Sequence, residues 1–142
     1  MSLKPASCEV ESSLDQLETL ITCVQSRARM LSLPASLIHR VELIVEELFV
    51  NVVHHGRPPP EAIVTVVLER PTDSADLQLE VRDCGRAFNP LADAPEADIS
   101  SDLQARHPGG LGVYLVQQLA RHQQYARVGG QNVLTLLIPV PE

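Results

Sequence analysis

Apolar side chains recur along the chain in two rhythms, every three to four residues in some stretches and every second residue in others. Leu14, Leu17, Leu20, Ile21, Val24 and Ala28 follow the helical rhythm and predict a first helix over about residues 12–32. Ser13 with Gln16 three residues on offers it a capping box. Pro34 disfavours helical geometry in the residue before it yet suits the first turn of a new helix, so it divides the first helix from a second. The second carries Leu37, Val41, Val45, Leu48, Phe49 and Val52 on one broad face and is predicted to run to about His54. Gly56 is expected as its C-terminal cap, with Pro58, Pro59 and Pro60 barring continuation.

The rhythm then changes. Residues 62–69 are rich in β-branched side chains and residues 77–82 alternate apolar with polar, which predicts two strands joined as an antiparallel hairpin through the turn residues 71–75. Residues 6–11 suggest a short edge strand, 111–121 a third helix entered from a glycine cluster, and 125–128 and 133–140 two final strands. Residues 89–108, with three prolines and several acidic side chains, have no strong period. A connection of that length is uncommon in a compact domain and is expected to be a functional lid or a disordered segment. Antiparallel strands with helices on one face form an α+β two-layer sandwich, the economical packing for this order. The 142 residues fit one domain, 1–142.

Composition narrows the function classes. An apolar share of 44% and a charged share of 20% suit an ordinary globule. A formal net charge of −7, with two Phe, two Tyr and no Trp, argues against a nucleic-acid surface, which needs basic stripes and stacking aromatics. No apolar run approaches the ~20 residues that cross a bilayer, and the N-terminus lacks a basic-then-apolar signal, so the expectation is a cytoplasmic protein with no membrane contact. Cys8, Cys23 and Cys84 are odd in number with no C-x-x-C, which reads as reduced thiols rather than a disulfide framework or zinc site. His54 and His55 are adjacent and point in different directions on a helix, so they add no metal site.

Glu47 and Asn51 stand out on the second helix. They are four apart and lie one above the other, beside a seam of Leu43, Ile44 and Val50 that offers little water. An unpaired buried charge is costly, so the pair is expected to face a ligand-filled cavity, although a lone E-x-x-x-N is more often the rim of an amphipathic helix. Asp83 at a strand end, with Gly85 after it, is likewise more often a capped turn than a site. As a site, Gly85 lets the backbone approach a flat ligand, and ionised Asp83 accepts from an exocyclic amine such as that of adenine; the carbonyl of guanine would leave it unpaired. Gly109, Gly110 and Gly112 open the third helix, whose bare N–H groups suit phosphates. Neither G-x-x-x-x-G-K-S/T nor a strand-linked G-x-G-x-x-G is present.

As an ordered set, Glu47-Leu48-Phe49-Val50-Asn51 through His55-Gly56, Asp83 through Phe88-Asn89-Pro90, and Gly109-Gly110-Leu111-Gly112-Val113-Tyr114-Leu115-Val116 resemble the boxes of the Bergerat-fold ATPases of the gyrase and histidine-kinase superfamily. More narrowly, they resemble its small stand-alone branch, the bacterial anti-sigma-factor serine/threonine kinases, over about residues 14–139. The resemblance implies a Bergerat sandwich, with a mixed, mainly antiparallel sheet, that binds ATP and Mg²⁺. Asn51 would be the Mg²⁺ ligand, in keeping with the preference of that ion for oxygen, and Glu47 the base that accepts the proton of an incoming Ser or Thr hydroxyl. Glu46 points about 100° away and suits that role less well. Asp83 and Gly85 match the adenine box; Gly109, Gly110 and Gly112 match the box that contacts phosphates and hinges the lid.

The resemblance also implies that His55, Ala87, Phe88, Leu111 and Thr135 lie near the nucleotide, and that a lid arginine reaches it, Arg106 being the nearest candidate. Asn132, like Thr135, lies where the last strand would pass the adenine. Ala87 stands where many members carry a second glycine. The implied substrate is an anti-anti-sigma antagonist protein, the implied sequestered partner a sigma factor, and family members commonly form homodimers. Two alternatives stay open: a non-catalytic ATP-binding partner-switching module, and a detached histidine-kinase catalytic domain.

Overall fold

The apolar face of the second helix is the centre of the core: Leu37, Val41, Val45, Leu48, Phe49 and Val52 are all buried. Each such side chain contributes about 1.5–3 kcal/mol by leaving water. The computed structural model describes residues 7–93 and 110–141. Most of the expected lid, including Arg106 and Gly109, lies outside the described residues.

Strand β1 (Ser7–Glu11) leads through a 3₁₀ turn at Leu14–Gln16 into helix α1 (Leu17–Met30), and helix α2 (Ala35–Asn51) continues as a π-helical turn over Val52–Gly56. Strands β2 (Ile63–Glu69) and β3 (Asp76–Asp83) follow, then helix α3 (Leu111–Leu119) and strands β4 (His122–Val128) and β5 (Gln131–Pro139). The strands form one sheet in the order β1-β2-β3-β5-β4, with every neighbouring pair antiparallel. Among the described residues every pairing is antiparallel, where a mixed, mainly antiparallel sheet was expected. Its inner face carries Cys8, Val10, Val64, Val66, Leu68, Leu79, Val81, Leu134, Leu136 and Ile138, buried beneath the helices. No helix among the described residues is long and apolar enough to cross a membrane.

Three expectations need correction. Ser13 makes no side-chain cap; the chain enters α1 through the 3₁₀ turn, in which Gln16 N–H donates to the Ser13 carbonyl at 2.9 Å. At the end of α2 the left-handed residue is Arg57, φ 50° and ψ 51°, rather than Gly56. The π turn adds a residue to the helix end, and Pro58 disfavours right-handed helical geometry at Arg57. Finally, Cys8 and Cys23 are joined by a disulfide and only Cys84 is free. Packing of α1 across β1 brings their Cα atoms to 5.9 Å, within bridging range, a proximity that their separation of 15 residues did not signal. The cysteines therefore no longer argue for a reducing compartment.

Candidate nucleotide site

Two groups of polar side chains lie at opposite ends of the α2 extension. At 1.5 Å per residue the run from Glu47 to Gly56 is roughly 13 Å long. At its upstream end Glu46 is exposed and Glu47 half-buried, as their rotation around the helix requires. Asn51 is only 6% exposed, and its Nδ2 donates to the Pro90 carbonyl at 3.0 Å, so its oxygen remains as the hard donor that a Mg²⁺ ion prefers. Glu47 Oε1 accepts from the backbone N–H of Gly110. Gly110 precedes α3 at φ 89°, a left-handed conformation that favours glycine, and its own N–H is the group that meets α2. Gly112 is required by packing: a Cβ there would lie 2.4 Å from Glu47 Cβ and 2.8 Å from the Leu43 carbonyl oxygen.

At the other end Asp83 is 1% exposed. Its Oδ1 accepts from Gly85 N–H at 2.8 Å and from Asn132 Nδ2 at 3.0 Å, whereas Oδ2 is buried with no partner among the described residues. Burial raises the Asp83 carboxyl above its ordinary value, against the lowering effects of Asn132, of Gly85 N–H and of the Arg127 charge. A buried acceptor left unpaired is costly, so Oδ2 has capacity for one further donor, and the exocyclic amine of adenine is a donor of the right kind. Gly85 is required by chain packing, since a Cβ would meet the Gly56 carbonyl oxygen at 2.5 Å.

The loop after Asp83 is clamped to the end of α2. Arg86 N–H donates to Gly56 O at 2.9 Å and Arg86 Nε to His55 O at 2.6 Å. The His55 ring lies 5.8 Å from that of Phe88, and the Arg86 guanidinium caps the same ring at 5.4 Å. Phe88 itself is buried, and Ala87 is exposed, so its methyl group is not wedged against the fold. Asn89 Oδ1 then accepts from Leu91 and Ala92 N–H, and Asp93 Oδ2 accepts from Asn89 N–H, which holds Pro90 where Asn51 reaches it.

The structure thus gathers Glu47, Asn51, Gly110, Leu111 and Gly112 at one end, and His55, Asp83, Gly85 and Phe88 at the other. It does not bring Thr135 to either: Thr135 pairs with Glu80 on the sheet face opposite Asp83 and the buried core. Arg127 and Tyr125 join the Asp83 end unannounced by the sequence. A count back from the Gly129-Gly130 turn, both residues at positive φ, would have set Arg127 opposite Asn132.

The antiparallel five-stranded sheet covered by helices is an α+β sandwich of the ATPase-domain type. The chain belongs to the histidine kinase-like ATPase domain family, whose model matches residues 10–138. Among solved structures it resembles the RsbU and RsbW domains of Rv1364c from Mycobacterium tuberculosis, with a TM-score of 0.61 and 13% identity over 98% of this chain. That likeness is one of fold, and this chain covers 33% of that solved chain. No curated protein matches the sequence.

Proposed function

We propose that the chain is an ATP-dependent serine/threonine protein kinase of the anti-sigma type, which phosphorylates an anti-anti-sigma antagonist and sequesters a sigma factor. The observation that carries this reading is the Glu47 carboxylate, one helical turn from Asn51 and held at the start of α3 by Gly110 N–H. Bound Mg·ATP would supply the phosphoryl group and its charge neutralisation. Asn51 would offer its amide oxygen to the ion, Asp83 Oδ2 would accept from the adenine amine, and Leu111 and Gly112 at the start of α3 would present N–H groups to the phosphates. With Oε1 engaged by Gly110, Glu47 would take the proton of the incoming Ser or Thr hydroxyl on Oε2. A solved neighbour that carries an RsbW domain beside an RsbU domain supports work with protein partners.

The test has two stages. Calorimetry with ATP and GTP, each with and without Mg²⁺, on the wild type and Asp83→Asn establishes the nucleotide site if only ATP binds and the variant loses it. Phosphotransfer to a Ser- or Thr-bearing antagonist protein then decides the activity, and full activity of Glu47→Ala would sink the base assignment. The engagement of Glu47 with Gly110 also favours a second reading, a partner-switching module that binds ATP without transferring phosphate. Tight ATP binding with single-turnover phosphotransfer no faster than in solution would select it.

A further inference from the structure

Asn132, on β5, is 1% exposed and has more hydrogen-bond partners than any other side chain near the base end of the site. Three donors converge on its Oδ1: Phe88 N–H at 3.2 Å, Arg127 Nη1 at 3.0 Å and the Tyr125 hydroxyl. None of the three can accept in its place in this arrangement except the hydroxyl, so the amide is locked with its nitrogen on the other side. That nitrogen donates to Asp83 Oδ1 at 3.0 Å and to the Arg86 carbonyl at 2.7 Å. One side chain therefore touches the first, fourth and last residues of the segment from Asp83 to Phe88. Arg127 Nη1 adds a bond to Gly85 O at 2.7 Å, so β4 supports the same segment through a residue that also fixes Asn132.

We propose that Asn132 is the positioning residue for base recognition: its amide saturates Asp83 Oδ1 and shapes the following loop, so that Oδ2 alone is presented to the ligand. This rests on the reading of Asp83 as the adenine acceptor. The physical warrant is the direction of the donor. A carboxylate held by Gly85 alone could swing either oxygen toward the base, whereas a second donor across the sheet register of Asp83 and Asn132 fixes its plane. The role requires an amide. A side chain that accepts on both arms would keep Phe88, Tyr125 and Arg127 as partners while facing Asp83 with a second negative charge.

Asn132→Asp makes that change without altering shape. At pH 8 the variant is expected to bind ATP about tenfold more weakly or worse, because two facing carboxylates push Asp83 out of line. As pH falls toward 6, a proton shared by the pair restores a donor toward Asp83, so ATP affinity of the variant rises while that of the wild type falls or stays level. Set around the pair are Arg127 and Tyr125 from β4, Arg86 from the loop and His55 from the turn after α2. All are common to both proteins, so a difference between the profiles belongs to position 132. A merely structural role predicts parallel profiles, and that result, or unchanged affinity at pH 8, would overturn the proposal. Amide hydrogen exchange at Gly85, whose N–H is held by Asp83 Oδ1, measured without ligand, gives a separate arm. Faster exchange there at pH 8, with β2 and the inner positions of β3 unchanged, is expected of Asn132→Asp. Unchanged exchange would overturn the positioning role even if the wild type failed to bind ATP, whereas that failure by itself would strike the nucleotide reading.

Discussion

Glu47 and Gly110, 63 residues apart in the chain, meet through a hydrogen bond from the backbone N–H of one to the carboxylate of the other. The contact sets the side chain proposed as a base against the positive end of α3, where a negative charge is favoured. It also divides the roles of the two carboxylate oxygens. Glu47→Gln keeps an oxygen for Gly110 but cannot take a proton, so ATP affinity is expected to change little while phosphotransfer falls ~10²–10⁴-fold. Parallel calorimetry and single-turnover assays separate the two effects. Equal losses in both would mean that the carboxylate is structural.

The same junction is expected to tolerate no side chain at Gly112. A methyl group there would lie 2.4 Å from Glu47 Cβ and 2.8 Å from the Leu43 carbonyl oxygen, and backbone cannot yield as a flexible side chain can. Gly112→Ala should therefore push α3 away from α2 at a cost of ~1–3 kcal/mol. Urea unfolding measures the cost. ATP binding should weaken with it, because the displaced segment carries Gly110.

The fold was legible in the sequence wherever a single element carries its own pattern. The α2 face, the β2–β3 hairpin and the glycine-led α3 are all written in local periodicity, and Glu47 with Asn51 follows from helical spacing alone. What escaped depends on pairing between distant elements. Thr135 and Asn132 are three apart on one strand, so they face opposite sides, yet which one meets Asp83 depends on the β3–β5 register. The requirement for glycine at Gly85 was assigned to ligand approach, but its nearest obstacle is the Gly56 carbonyl, which only the tertiary fold brings there. The disulfide escaped for the same reason.

That disulfide ties the edge strand β1 to α1 and closes a loop over a separation of 15 residues. Chain entropy gives a loop of this size about 3 kcal/mol of stabilisation. Reduction, or the double change Cys8→Ser with Cys23→Ser, is expected to lower stability by up to that amount, a fall in Tm of ~6–12 °C for a domain near this size. Cys8 is 3% exposed and sits in the core cluster, so the serine variant adds a buried hydroxyl to the loss. Reduction of the wild type therefore isolates the cross-link, and thermal unfolding with and without a thiol reductant checks it. An unchanged Tm would mean that the bond contributes nothing to the folded state.

Asp83 sets stability against ligand binding, and pH should expose the conflict. Burial raises its folded pKa above the ordinary carboxylate value of 3.8, so between the two values the folded chain binds more protons than the unfolded chain. The contribution of Asp83 to stability is therefore greatest below the unfolded value and declines as pH rises through the folded one. ATP binding runs the other way, since the adenine amine needs an ionised acceptor and protonation of Oδ2 removes it. Asp83→Asn cannot ionise. It should be at least as stable as the wild type at pH 7.5, because its amide oxygen still accepts from Gly85 and Asn132 without a buried charge. Its amide nitrogen would face the adenine amine as a second donor, so ATP affinity should fall by about tenfold or more. Chemical denaturation and calorimetry across pH 5–8 test both halves together. A variant that lost stability and kept ATP would show that Asp83 is a structural carboxylate, and the base end of the site would have to be sought elsewhere.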